Sequence, residues 1–479
     1  MILRTPTIDL SALRLPDRID APGLLVGWSM EQEPLRRPVG FNYGDPDHTP
    51  SSGFVDPIQL SPDGHLITIA PTGAGKGTGC IIPALLKHEG PVIVIDPKGE
   101  NVAVTARRRR EMGHRVVVID PMKVTDFASD ALNPLDLIDC NSPMVVDEVV
   151  AIVRTLGMET PDRRDQFWHS SAENLLVALI LHVLADWPPG FHNLGAVRTL
   201  LQQLPGAFAS ASEDQATHDK ASDTLLNRLR SSKHSEVRRL AATLLTPARE
   251  TFGGIAAFAE EMLGFLRGEP IRTALSRTTF PLDFVTLGAP LSIYLVLPPH
   301  MLESHGKLLR IWVSALMQAI TRRQRKPEQN TLFILDEAAQ LGPLAQLRQA
   351  ITLLRGYGLQ TWSFWQDRSQ LERLYPKDWR TMVNNCRVLQ CFGALNMHAA
   401  QGIAEMTGFE LPERVLDLRP DEMVLQLAGD EAVIARVPNY LSDPLFAGLF
   451  DPNPYYDPSR PIMRPEHRSG RRGPATVLE

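Results

Sequence analysis

A chain of 479 residues, 43% hydrophobic and 22% charged, holds enough apolar material for two to four domains, which excludes a small binding module and a wholly disordered chain. Its net charge of −6 excludes a protein that coats nucleic acid over its whole surface, so any such contact must be local. Cys80, Cys140, Cys386 and Cys391 form no CxxC pair and have no histidine at zinc spacing, which argues for a reducing compartment and against a structural zinc.

Residues 1–58 are rich in Pro, Gly and Asp and read as an N-terminal loop-rich segment, with neither an apolar signal core nor a small-residue cleavage site. The longest apolar run, NLLVALILHVLA at 174–185, falls short of the roughly 20 residues that cross a bilayer, so a cytoplasmic location is expected. Residues 59–132 read as the first part of a nucleotide-binding α/β domain. HLITIA at 65–70 is a short strand, PTGAGKGTG at 71–79 a glycine-rich turn, and CIIPALLKH at 80–88 a helix with Pro83 in its first turns. PVIVID at 91–96 and RVVVID at 115–120 are buried strands of a parallel sheet. Each ends in aspartate, where ligands bind such sheets, although Asp120 serves equally well as a loop cap. The basic runs RRRR at 107–110 and RRQRK at 322–326 read as solvated faces.

Residues 133–275 show helical periodicity almost throughout and read as an all-α domain, with Trp168 as a core aromatic. The α/β pattern resumes over 276–450 with PLSIYLVLP at 290–298, a long helix at 305–323, and the strands TLFIL at 331–335, LQTWSFW at 359–365 and RVLQCF at 387–392. MVLQLAG and EAVIARV at 423–437 predict a hairpin with Gly429 and Asp430 in its turn. The Pro- and Arg-rich tail, 451–479, is expected to be flexible.

Chemistry concentrates in two places. In Thr72-Gly73-Ala74-Gly75-Lys76-Gly77-Thr78, glycines allow backbone N–H groups to turn inward on a phosphate chain, the helix start adds its dipole, and Lys76 meets the terminal phosphates. Ala70 replaces the first glycine of the usual pattern, and Gly77 stands where a hydroxyl normally holds magnesium, leaving Thr78 to compensate. The strand TLFIL runs into Asp336 and Glu337, the form of a Walker B strand. There Asp336 holds Mg2+ and Glu337 polarises the attacking water. Paired carboxylates at the end of a buried strand are costly unless a cation or a wet cleft receives them. Together the two halves point to ATP and Mg2+.

APTGAGKGTG, DPKGEN at 96–101, NPLDLI at 133–138, DQFWHSSAENLL at 165–176, LSIYLVLPP at 291–299, LDEAAQLG at 335–342, LRGYGLQ at 354–360 and WQDRSQLERLY at 365–375 resemble, in order and spacing, the signatures of the type IV secretion coupling proteins, the TraG-like conjugative DNA transfer ATPases. The resemblance covers about residues 60–440. It implies an α/β fold: a RecA-like P-loop NTPase domain with a mainly parallel sheet, interrupted by an all-α insertion, in a homo-hexameric ring with ATP between subunits. It also implies that Arg355 reaches the γ-phosphate of a neighbouring subunit and that Gln366 senses it. Asp96 and Lys98 are expected near the nucleotide, beside the P-loop strand. Implied partners are DNA, single-stranded and held by its phosphates rather than read by base, with a relaxase or secreted protein as cargo, and a secretion channel or membrane-anchor protein. Coupling proteins usually carry an N-terminal membrane anchor; this sequence shows none, so tethering to the inner membrane through a partner is expected. Two other readings remain: a soluble HerA/FtsK-like DNA pump, and a nucleotide-gated recruitment platform with little turnover.

Overall fold

The computed structural model describes residues 15–20, 22–29, 56–60, 63–157, 165–204, 224–244 and 249–456. An eleven-stranded sheet organises them in the order β2-β1-β11-β10-β9-β3-β8-β7-β4-β6-β5. The strands are β1 (Leu24–Trp28), β2 (Pro57–Leu60), β3 (His65–Ile69), β4 (Val92–Ile95), β5 (Arg115–Ile119), β6 (Leu291–Leu295), β7 (Thr331–Leu335), β8 (Leu359–Trp365), β9 (Cys386–Cys391), β10 (Glu422–Leu427) and β11 (Val433–Arg436). From β9 to β5 neighbouring strands are parallel; from β9 to β2 they are antiparallel. Strands such as VIVI in β4 and LQTWSFW in β8 are buried along their whole length, because helices cover both faces of a parallel sheet.

The sheet corrects two expectations. The loop-rich segment 1–58 contains β1, whose LLVGW is buried and pairs with β2 and β11. The segment around 41–55 lies outside the described residues. The DPKGEN turn, in turn, does not follow a neighbour of the P-loop strand. β4 pairs with β7 and β6, and two strands, β8 and β7, separate it from β3. The hairpin of β10 and β11 forms as expected, with Leu425 opposite Val433.

Between β5 and β6 the chain is helical, with Val145–Leu156, Gln166–Asp186, Leu194–Leu201, 224–230, Ser235–Leu244 and Arg249–Met262 as its main helices. Trp168 stacks on Phe258, 6.1 Å between rings, and lies over Gly254, where a Cβ would strike the indole. Gln166–Asp186 extends beyond its apolar run to 21 residues. By length and composition it is the one helix among the described residues that could cross a membrane, yet 67% of its apolar window is buried against its neighbours. The long helix Leu302–Thr321 packs against Val145–Leu156 and joins this region to the sheet, where the Trp312 indole N–H donates to the carbonyl of Leu132 at 2.9 Å.

Neither basic run is simply a solvated face. Arg109 is wholly buried and donates to the carbonyls of His88 and Gly90 and to Ser292 Oγ, while Arg107 pairs with Glu111 and Asp451. Arg323 is buried among the carbonyls of Val285, Tyr357 and Gly358, Arg322 pairs with Glu148, and Lys326 pairs with Asp63. After β11 the chain runs back across the P-loop helix as a strap. Tyr440 N donates to the Thr78 carbonyl at 3.3 Å, and Asp443 accepts from the Trp28 indole at 2.9 Å. The start of the expected flexible tail is tied down: Asn453 donates to Glu100 and Tyr440, and the Tyr455 hydroxyl to the Lys98 carbonyl. Residues 457–479 lie outside the described residues.

Candidate nucleotide-binding site

β3 delivers the chain to a tight turn in which Gly73 (φ 80°) and Gly75 (φ 90°) take left-handed conformations that other residues rarely adopt. The turn closes through Ala74 N to Pro71 O at 3.1 Å, and Ala70 N holds its base to β8 through Trp365 O at 2.8 Å. The helix that follows opens as a π turn, Gly77–Ile81, before becoming α-helical over Ile82–Lys87. This widening suits Pro83, which has no N–H for an α-helical bond, and such turns recur at functional sites. A Cβ built at Gly73 or Gly77 would meet no atom within 4 Å, so open space stands over the turn. That is the shape a phosphate chain requires.

β8 lies between β3 and β7, and the ends of these three strands bring four of the predicted residues together. The Lys76 ammonium forms an ion pair with Glu337 and stands 3.5 Å from Asp336 Oδ1. Gln366, at the end of β8, donates from Nε2 to the other Glu337 oxygen at 3.0 Å. Glu337 sits at φ 57°, ψ 49°, one of only two non-glycine residues with positive φ among the described residues. For a glutamate that conformation costs on the order of 1 kcal/mol or more and marks a site where the fold imposes geometry. Burial raises the Asp336 carboxyl above its ordinary range, partly opposed by Lys76. Asp336 Oδ1 is buried and makes no hydrogen bond beyond the long contact with the Lys76 ammonium, so a divalent cation fits that atom once Lys76 turns to a phosphate. The Thr78 hydroxyl, by contrast, donates to the Gly75 carbonyl at 3.0 Å.

The remaining predicted residues sit elsewhere. Asp96 faces the start of the helix Glu100–Glu111, where one oxygen accepts from Asn101 and the other from Val102 N at 2.9 Å. Burial pushes its carboxyl up to about 7 against the pull of those N–H groups. It anchors the turn that follows β4, the neighbour of β7. Asp120 is a loop cap, accepting from the backbone N–H groups of Val124 and Thr125. Arg355 is exposed in the turn Leu354–Tyr357 before β8, at the opposite end of the sheet from Lys76. A seven-residue strand separates it from Gln366, roughly 23 Å at about 3.3 Å per residue. Its charge is felt at Asp63 and His65, at the start of β3. Arg355 therefore cannot serve the site of its own subunit.

Two supporting residues escaped the sequence reading. Gln370 Oε1 accepts from Gln366 N at 2.9 Å while Asp367 caps the same helix turn, so a D-x-x-Q pattern after the strand was available as a signal. The strap residue Tyr440, joined to Thr78 through its backbone, carries no local signal.

Residues 40–410 match the family described as Type IV secretory system Conjugative DNA transfer. The chain belongs to that family. A conjugal transfer protein TraG of Agrobacterium fabrum is 29% identical over 65% of this chain and 45% of its own length. A TraG of Escherichia coli is 24% identical over 80% of this chain and 68% of its own length. The type IV secretion system-coupling protein VirD4 of Bartonella quintana is 24% identical over 72% and 53%. The chain thus spans about half to two thirds of the length of these relatives. Among solved structures, the bacterial conjugative coupling protein TrwBdeltaN70 aligns with a TM-score of 0.60 at 16% identity, covering 80% of this chain and 86% of that one. TrwB in complex with ADP and Mg2+ aligns at 0.58 and 17%, covering 78% and 85%. At such identities the likeness concerns the fold, an α/β P-loop NTPase fold with a helical insertion in the conjugative transfer family.

Proposed function

We propose that the chain is an ATP-hydrolysing coupling protein that passes DNA or nucleoprotein to a type IV secretion channel, acting from the cytoplasmic side. The observation that carries this is the meeting of Lys76, Asp336, Glu337 and Gln366 at the ends of three adjacent strands, under an open glycine turn. The names of its relatives, and the solved complexes of TrwB with ADP and Mg2+ and with an ATP analogue, support the same direction.

In this reading the phosphates of ATP lie over Gly73, Ala74, Gly75 and Gly77. Lys76 exchanges its carboxylate partners for phosphate oxygens, which frees Glu337 to orient the attacking water. Gln366 fixes the Glu337 carboxylate from its other side. Asp336, aided by Thr78, would hold a magnesium ion, which when bound offsets the charge of the phosphates. A cationic group from the next subunit must complete the site, since Arg355 lies at the far end of its own sheet. Turnover then requires assembly, and a homo-hexameric ring supplies it. DNA is held by its phosphates rather than read by base.

Gly77, and a Thr78 hydroxyl that donates to Gly75, favour a second reading: a recruitment platform that binds nucleotide with little turnover. Steady-state ATP hydrolysis by wild type and Glu337→Gln across protein concentration, with and without single-stranded and duplex DNA, separates the two. Concentration-dependent, DNA-stimulated turnover lost in the variant supports the motor. Binding without turnover under every condition sinks it.

A further inference from the structure

We infer that the corner between helix 224–230 and helix Ser235–Leu244 is a contact surface for a nucleic-acid phosphate backbone, an inference that rests on the DNA-handling function proposed above. Arg228, Arg230, Lys233, Arg238 and Arg239 are all exposed there, and Glu236 is the one acid within 224–244. Glu236 is occupied by Arg239 at 2.5 Å, and Arg238 is turned onto the carbonyls of Ser232 and Lys233. Among the described residues, Arg228, Arg230 and Lys233 meet no carboxylate; Arg230 reaches only Asn227, at 3.4 Å. In a chain of net charge −6 this is a local surplus of unpaired cations. The two obvious basic runs, in contrast, are drawn into carbonyls and ion pairs of the fold.

The corner is held firmly. Lys233 N donates to Asp186 Oδ1 at 3.0 Å, Ser232 Oγ donates to the same carboxylate, and His182 Nδ1 lies 2.8 Å from it. Asp186 is thereby engaged with the backbone and with its neighbours rather than with the exposed cations. The kind of partner follows from what the surface lacks. None of the large exposed apolar side chains falls within 224–244, whereas a protein partner needs buried aromatic or aliphatic anchors. A phosphate backbone needs only spaced cations, and guanidinium groups match its oxygen pairs.

The test is a full-length triple variant, Arg228→Gln, Arg230→Gln and Lys233→Gln, which leaves Arg238 and Arg239 in their local contacts. Binding to a labelled single strand and to the duplex of the same sequence is measured over a range of salt. Loss of three phosphate contacts should make the slope of log affinity against log salt shallower by about two for the single strand and about three for the duplex. Thermal melting and ATP turnover without DNA should match wild type. If wild type binds DNA and the variant keeps its affinity and slope, the inference falls while the motor reading, judged by turnover, stands. A wild type that binds neither form at low salt also overturns it. So does a variant that loses only an acidic protein cargo.

Discussion

The two ends of the parallel strands differ in charge as sharply as they differ in sequence position. Carboxylates stand at the carboxyl ends: Asp96 after β4, Asp120 after β5, and Asp336 with Glu337 after β7. Basic groups crowd the amino ends: His65 on β3, His88 before β4, Arg109 beneath Gly90, His114 before β5, and Arg323 and Arg355 at the start of β8. At one end Asp336 and Glu337 meet Lys76, while Asp96 and Asp120 hold the loops that follow their strands. At the other, His88, Arg109, His114 and Arg323 satisfy the carbonyls of the turns that feed the strands, His65 meets Thr361 on β8, and Arg355 faces solvent. The difference teaches that the chain gathers its acids with Lys76 at one end of the sheet and leaves Arg355 at the other, out of their reach.

The largest expected effect tests that division. Arg355→Ala should lower turnover by about 10³-fold or more, while nucleotide binding to dilute protein stays within a factor of about two. Equal loss of both would place Arg355 in the structure rather than in a neighbour's chemistry. Mixing Arg355→Ala with Glu337→Gln subunits should restore part of the activity, since some interfaces then pair an intact arginine with an intact glutamate. Gln366→Ala comes next, with turnover reduced roughly tenfold through a loosened Glu337, and with nucleotide affinity little changed. An affinity loss larger than the rate loss would show that Gln366 binds nucleotide directly.

The basic end should be the first to yield to acid. Burial lowers His65 to about 4, His88 to about 3 and His114 to about 4 from the ordinary 6.5. Below pH 6.5 the unfolded chain therefore binds more protons than the folded one, so stability is intact above 6.5 and is lost as pH falls towards the folded values. Each histidine contributes roughly 1.4 kcal/mol per pH unit to that slope. Chemical unfolding from pH 7 to 5 should show the trend, and His114→Gln should remove about one proton from it. The smallest effect belongs to Asp451→Ala, a loss of stability barely measurable by chemical unfolding, because its pair with Arg107 is exposed to solvent.

Much of this site was legible before any coordinates. The glycine turn, the run of TLFIL into Asp336-Glu337 and the glutamine ending β8 are local patterns whose chemistry depends on residue type and spacing. Strand order is not a local property, which is why DPKGEN was expected beside the P-loop strand and lies instead beyond β7. The basic runs misled for a related reason: arginines in sequence point in different directions on a helix, and Arg109 finds a ring of carbonyls that no periodicity reveals. β1 was hidden by its surroundings. Its five residues are apolar, but proline- and glycine-rich flanks on both sides disguised an antiparallel partner for distant β11. The Lys76 contact with Glu337, across 261 positions, followed only from treating the two motifs as halves of one site.

The strap over the P-loop helix also bears on how the protein is made. The nucleotide turn is synthesised early, yet Thr78 receives its cover from Tyr440, and Trp28 its hydrogen-bond partner from Asp443, 415 positions later. Contacts of such separation close last, since the entropy of the intervening loop must be overcome first. At roughly 5–20 residues per second, a ribosome holds the P-loop outside its exit for many seconds before the chain that seats it has emerged. A growing chain thus carries the whole phosphate-binding motif without its finished setting, and a competent nucleotide site appears only once the last strand and strap have come home.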